Sequence, residues 1–492
     1  MKTKQTHYLI LLLYITGLFT ISGCKSGNTV DNSIEPDPPG VPPSSPSGLT
    51  ADAADGIVIL SWNANSEENL SHYNIFRGEV NGSLDKIAET PAGTESYTAE
   101  GLSNGITYFF AISAENSDGQ TSERSEVISA IPETDVPERL EASWINQFGS
   151  PSQDGFVLLG LDYADDGTLW AISFLGDTYN EIPRGPVVAK FDAAEGSMIS
   201  IASMDLPAVQ ILPTGIALTE DGGYLATGEI FGGSFPGESR IGTTDAFIAR
   251  FDADGNRLWA RQFGAEGAVL QGSDIEISDT GDVYVTGTIS EGDALPGQNA
   301  SGGGRDVFVV KYSLDGDAAW TRQFGNGSDR LKNHGVSIPG DEIVVTGTVA
   351  DEENPLPGSD TSGNGFLRSY STDGEILGTI QLDVPILPNE GGAMAVESSG
   401  ALWVFGSSTD PFGFGNEGQR DFVLAKIDPA TGKISVAAQI GTPESDWGDG
   451  IALGPDGEVY AGGSTNGSLP GFTNAGDYDI AIARFEFPQP TD

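Results

Sequence analysis

The chain has 492 residues, 71 acidic against 23 basic, and a formal charge of −48. Such a surface repels phosphate backbones and excludes nucleic acid as a natural partner. Cys24 is the sole cysteine and only His72 and His334 follow it among the histidines, so intrachain disulfides and Cys/His metal cages are excluded as well. The charge itself reads first as solubility and mutual repulsion, and second as recruitment of cations or a basic partner. Glycine is abundant at 67, and long apolar helical patterns are missing after the first two dozen residues, which points to an all-β chain rich in turns.

At the N-terminus Lys2 and Lys4 precede an apolar run from Tyr8 to Ile21, too short for a comfortable membrane span. The run ends in Ile21-Ser22-Gly23-Cys24. This resembles the bacterial lipoprotein signal, an aliphatic residue and two small residues before a cysteine whose sulfur takes a diacylglyceryl group. The resemblance implies that residues 1–23 are removed and that Cys24 carries acyl chains, palmitate among them. Several chains at one site anchor far more firmly than one. The expectation is a lipid-anchored protein of the bacterial cell envelope, at the outer membrane, facing either the periplasm or the outside. An ordinary secretory signal with a free cysteine is the alternative. Two of the 23 basic residues precede Cys24, so the chain from there on carries 21 against 71 acids, about −50. Residues 24–45, ending in EPDPPGVPPSSP, cannot build a core and favour extended, polyproline-like conformations. They read as a stalk.

Residues 46–133 hold short alternating segments: Ile57–Trp62, Tyr73–Arg77, Ser96–Thr98, Tyr108–Asn116 and Val127–Ile131. Their spacing suits an antiparallel β-sandwich. Trp62, the run His72-Tyr73-Asn74-Ile75-Phe76-Arg77, and Leu102 with Thr107-Tyr108 resemble a fibronectin type III domain. Gly105 departs from it, standing where that family often has proline. No Arg-Gly-Asp loop is present, and the resemblance implies a spacer more than an adhesive module. His72 reads as packing or surface.

The remainder, residues 144–487, repeats. Asp245–Gly264 (DAFIARFDADGNRLWARQFG) recurs 61 residues later as Asp306–Gly325 (DVFVVKYSLDGDAAWTRQFG), with nine of twenty positions identical. Central strands are LWAIS (169–173), YLATG (224–228), VYVTG (283–287), IVVTG (343–347), LWVFG (402–406) and VYAGG (459–463). A third strand follows each, an inner apolar strand precedes each, and the Trp/Gln-Phe-Gly strand makes four, the count of a propeller blade. The sixth unit stops after its third strand, while Trp144–Gly149 stands alone at the start. Pairing the two closes a six-bladed β-propeller by its N-terminal strand. Trp144, Trp259 and Trp320 read as blade packing. The repeats resemble the bacterial beta-propeller repeat family, whose name assumes seven blades. That resemblance implies extracellular binding or assembly.

In a propeller the loops from second to third strand lie on one face, and here they are long, whereas the opposite face has tight Asp-Gly turns. The long-loop face is the expected interaction surface. Its aromatics, Phe231, Phe235, Phe412, Phe414, Phe472 and Trp447, either stack on a ligand or plug the loops onto the blades. Residues just ahead of each inner strand, Asp154, Thr214, Ser273 with Asp274, His334, Gly391 and Asp449, are expected to ring the channel mouth. Carboxylates and an imidazole there offer a cation site or general acid–base groups, or simply hydrogen bonds to strand starts. Two motifs fail on context. Gly413–Gly418 fits G-x-G-x-x-G but leads into a strand. Asp252–Asn256 resembles a calcium loop with its glycine two positions early, and reads as a hairpin turn. No cofactor or metal motif and no catalytic motif stands out. The expectation is a non-enzymatic binding module for protein or polysaccharide. The alternative is a polysaccharide-active hydrolase or lyase using the channel-mouth carboxylates.

Overall fold

The computed structural model describes residues 40–486 apart from 55, 133–136, 150–154, 177, 180, 207–209, 303, 328–330, 350–354, 360–363, 383–391 and 410–417. Cys24 therefore lies outside the described residues. Among the described residues all regular structure is β-strand. The chain divides into two compact units, Met1–Thr134 and Asp135–Asp492.

The first unit holds β1 (Thr50–Ala54), β2 (Ile57–Ser61), β3 (Leu70–Val80), β4 (Ser83–Pro91), β5 (Ser96–Ala99), β6 (Tyr108–Asn116) and β7 (Ile128–Ala130). They form two sheets ordered β1-β2-β5 and β4-β3-β6-β7. Trp62 meets Tyr73 edge-on at 5.3 Å in a core shared with Ile75, Phe110 and Ile112. Two strands escape the sequence pattern. One is β1; the other is β4, which buries only Leu84 and Thr90 and so shows no alternation. The Tyr108 hydroxyl accepts the Ser103 amide at 3.1 Å, fixing the corner before β6. Gly105 sits at φ +76° and donates its N–H to Pro132 O at 2.8 Å. Proline has neither that φ nor that donor, so this corner requires glycine. His72 Nε2 lies 3.5 Å from a Glu115 carboxylate oxygen, part of a small surface network.

The second unit begins earlier than Trp144, with β8 (Glu138–Arg139) and β9 (Ala142–Gly149). Six four-stranded antiparallel groups follow. The first sheet is β10 (Phe156–Tyr163), β11 (Thr168–Leu175), β12 (Gly185–Asp192) and β13 (Met198–Ser203). The second is β14 (Ile211–Leu218), β15 (Tyr224–Ile230), β16 (Asp245–Phe251) and β17 (Arg257–Phe263). The third is β18 (Val269–Ile277), β19 (Asp282–Ser290), β20 (Arg305–Ser313) and β21 (Ala318–Phe324). The fourth is β22 (Lys332–Ser337), β23 (Ile343–Thr348), β24 (Gly365–Tyr370) and β25 (Ile376–Leu382). The fifth is β26 (Ala393–Val396), β27 (Leu402–Ser408), β28 (Asp421–Ile427) and β29 (Ile434–Ile440), with β8 added in parallel to β29. The sixth is β30 (Asp446–Leu453), β31 (Val459–Thr465) and β32 (Asp479–Phe485), and its fourth strand is β9.

The second strand of each sheet is buried almost throughout, as in β15 and β31, because sheets pack on both of its faces. Apolar clusters fill the gap between each sheet and the next. One of them joins Phe156, Leu158 and Phe191 of the first sheet to Tyr460, Ile480 and Ile482 of the sixth. The segment from β8 to β9 thus serves two sheets, and Leu140 between them is buried against the fifth and sixth.

The repeated residues of the sequence signature explain themselves as a latch. The third strand's leading aspartate takes a side-chain hydrogen bond from the fourth strand's glutamine: Asp245 from Gln262 at 2.7 Å, and Asp306 from Gln323, Asp421 from Gln439 and Asp479 from Gln147 at 2.8 Å each. The glutamine oxygen then accepts a backbone N–H from the long loop, at Phe235, Leu295 and Leu469. Gln381 does the same for Leu356. These are the first residues of the Phe-Pro-Gly and Leu-Pro-Gly motifs, and each is buried. The glycine after the fourth strand leaves room for the carboxylate: a Cβ on Gly264, Gly325, Gly441 or Gly149 would fall within 2.2 Å of it. The first sheet has Gly185 and Ser203 at the latch positions, so its loop is held differently. Asp252–Asn256 is a hairpin turn, with the Asp252 carboxylate accepting the Asn256 amide at 2.8 Å.

Candidate functional site

The first strands β10, β14, β18, β22, β26 and β30 surround a cavity of about 280 Å³. Five of them carry a register shift at its rim, between Leu158/Gly160, Pro213/Gly215, Gly272/Asp274, Asn333/Gly335 and Gly448/Gly450. A bulge inserts one extra residue and re-aims the local side chains. The residues it inserts are Leu159, Thr214, Ser273, His334 and Asp449, and all five line the cavity. Four of the positions expected at a channel mouth are therefore brought together, inside the strands rather than ahead of them. The first sheet is the exception, because its equivalent position is Leu159. Asp154 falls five residues earlier, outside the described residues, as does Gly391.

Asp274 also lines the cavity, and two further acids that sequence reasoning missed join it, Asp162 and Glu276. Glu276 lies two positions beyond Asp274 on β18, so strict alternation puts it on the same face. Asp162 lies three residues past the β10 bulge, as Glu276 does on β18. That equivalence needs the bulge positions, which periodicity alone does not reveal.

Side chains also bridge every pair of neighbouring sheets near the first strands. Asp162 Oδ2 on β10 accepts the Leu218 amide of β14 at 2.7 Å. Thr214 donates its hydroxyl to Gly272 O of β18 at 2.8 Å. Asp274 Oδ2 accepts the Val336 amide of β22 at 2.9 Å, and Ser337 Oγ the Val396 amide of β26 at 3.0 Å. Ser407 Oγ accepts the Gly448 amide at 3.2 Å, and Ser464 Oγ the Leu158 amide at 3.3 Å, which joins the sixth sheet to the first. Asp274 and Thr214 thus both hydrogen-bond to backbone of the next sheet. Ser464 also donates to Asp449 Oδ2 at 3.2 Å.

Burial raises the acids. Asp162, Asp274 and Asp449 are each pushed up to about 7, chiefly by desolvation, against the opposing pull of the hydrogen bonds just described. Glu276 is raised well above the usual carboxylate range by desolvation and by the neighbouring Asp162 and Asp274. His334 is pushed down to about 4 by desolvation and by Lys332, and its ring nitrogens meet Gly392 O at 3.2 Å and Thr348 Oγ1 at 3.0 Å. Protein encloses all five groups, yet the cavity leaves each part of its surface open, so water there tempers the cost. No lysine or arginine among the described residues lines the cavity. Among the described residues no three His, Cys, Asp or Glu side chains are grouped so as to hold a metal ion.

The aromatic candidates separate. Phe235 is corrected: it is 1 % exposed, packed under its loop against Phe247, where no ligand reaches it. Phe472 is half-buried against the cluster between the fifth and sixth sheets. Phe231 is 40 % exposed. Trp447 lies on β30, half-buried, with its ring edge-on to Tyr478 at 5.5 Å. Phe412 and Phe414 lie outside the described residues. On the opposite face the bases are spent on the turns: Arg250 pairs with Asp221, Lys311 with Asp282 and Lys426 with Glu397, each at 2.7 Å.

Comparison with known proteins places two stretches. Residues 44–131 match the model of the fibronectin type III domain, and residues 258–293 match that of a beta-propeller repeat. The first unit is thus a fibronectin type III domain, and the second contains a beta-propeller repeat. An amylopullulanase from Thermoanaerobacterium saccharolyticum is 37 % identical over 91 residues, 18 % of this chain and 7 % of that enzyme. Among solved structures, an Fn3-like protein from Clostridium thermocellum is 27 % identical and aligns over 19 % of this chain and 95 % of that one, with a TM-score of 0.16. A Family 28 exopolygalacturonase from Yersinia enterocolitica is 21 % identical over 20 % of this chain and 21 % of that one, with a TM-score of 0.17.

Proposed function

We propose that this chain is a lipid-anchored bacterial envelope protein that binds polysaccharide or protein through one face of a six-bladed β-propeller. In this reading Cys24 is the anchor, residues 24–45 are the stalk, the fibronectin type III domain is a spacer, and β9 closes the propeller by pairing with β32. The observation that carries the binding role is the asymmetry of the two faces. Loops 231–244, 291–304 and 466–478 rise on one side, while 164–167, 219–223 and 278–281 suffice on the other. Polysaccharide is the ligand favoured, with half-buried Trp447 and its edge-on neighbour Tyr478 as stacking surfaces. The fibronectin type III match to an enzyme named amylopullulanase is consistent with such a setting, although this chain spans only 7 % of it. The strong negative charge favours neutral or amino-bearing sugars over acidic ones.

A second reading, a hydrolase or lyase, draws on Asp449, whose carboxyl at about 7 suits a general acid. One assay separates the two. The fragment 46–492 is screened against polysaccharides and envelope proteins, with product release followed in the same wells. Selective binding with intact ligand is expected; release of shortened sugars would replace the binding module by the enzyme. Protein ligands alone would keep the face and change the partner.

A further inference from the structure

Four of the six bridges named above use neutral hydroxyls, Thr214, Ser337, Ser407 and Ser464. The other two use carboxylates, Asp162 and Asp274. A hydroxyl accepts an amide N–H without the cost of burying a charge, so the carboxylates are not needed for the bond itself. They also share one cavity with Glu276, whose carboxyl takes a hydrogen bond from the neighbouring Ile277 amide. Like charges so placed cannot all ionise without a counter-charge.

We propose that Asp162, Asp274 and Glu276 form a proton-operated clamp: with these acids protonated the joints between the first and second and between the third and fourth sheets hold, and losing the protons sets like charges in one cavity and loosens the joints. The clamp is independent of what the long-loop face binds. The surroundings contain little to offset it. β10 contributes Asp162; β18 contributes Asp274 and Glu276; β30 contributes Asp449. β22 contributes His334, with Lys332 acting on it, and the described parts of β14 and β26 bring no charged group.

The sign follows from the shifts. The folded values of Asp162 and Asp274 are raised to about 7 and that of Glu276 well above the usual carboxylate range, so the fold prefers the protonated form. That stabilisation is complete at low pH and is lost as pH rises from about 4 through 7. His334 acts oppositely, since its folded value is depressed to about 4 and it costs stability as pH falls below about 6.5. Between pH 6.5 and 8 the acids act alone, and there stability falls.

The test is amide hydrogen exchange on the whole chain at pH 6 and pH 8, expressed as protection relative to the intrinsic rate. Peptides containing Leu218 and Val336 are expected to lose protection about tenfold or more over that interval. Glu276→Gln, which removes a charge and no inter-sheet bond, is expected to flatten the loss, and Glu276→Gln with Asp274→Asn to flatten it further. Glu375→Gln, at an exposed acid, should leave it unchanged. Equal protection at both pH values, or the same loss in Glu276→Gln as in the parent, would overturn the clamp.

Discussion

Deleting Pro137–Gly149 is expected to leave the second unit without a cooperative unfolding transition. That segment supplies a fifth strand to the fifth sheet, the fourth strand of the sixth, and buried Leu140 between them. Its loss uncovers the β32 edge and the apolar clusters on either side. A single substitution probes the same clasp. Gln147 donates to Asp479 at 2.8 Å and accepts the Leu469 amide at 2.9 Å, and Asp479 is 1 % exposed. Gln147→Glu sets a second carboxylate against that buried one and is expected to cost on the order of 3–5 kcal/mol. Thermal unfolding followed by tryptophan fluorescence checks both variants. An unchanged midpoint in either would show that β9 is not the closing strand.

The second large effect concerns the latch glycine. In Gly325→Ala the new Cβ falls 2.0 Å from Asp306 Oδ1. The carboxylate must move, giving up its bonds to the Ser301 amide and to Gln323. A cost of roughly 2–4 kcal/mol is expected from overpacking plus unsatisfied buried polar groups. Gly378, on β25, has nothing within 4 Å of a built Cβ. Gly378→Ala should be neutral, or stabilise by up to about 1 kcal/mol. Equal effects in denaturant unfolding would remove the latch as the reason for the repeated Gln-x-Gly.

The repeat made much of the second unit legible. Alternating apolar strands around Asp-Gly turns located four strands per unit, because equivalent strands of the six sheets are buried by the same neighbours in every copy. The solitary Trp144–Gly149 strand pointed to its partner because the sixth repeat otherwise lacks a fourth strand, and β32 pairs with β9. β8 was invisible, since two residues, Glu138 and Arg139, carry no pattern and pair only through backbone. Asp274, His334 and Asp449 were found as a group, while the first-sheet bulge residue, Leu159, carries no polar group to mark it. For Phe235 the sequence left two roles open, and the latch on Gln262, which draws the ring into the core, selects the plug over the ligand contact. Asp162 and Glu276 hid among apolar strand residues, where only three-dimensional equivalence marks them.

The most direct measurement of the binding account is hydrogen exchange of the chain with and without the ligand that the array selects. Protection is predicted in loops 231–244, 291–304 and 466–478 and at the start of β30, with the Asp-Gly turns unchanged. Protection confined to those turns, or to the fibronectin type III domain, would contradict it.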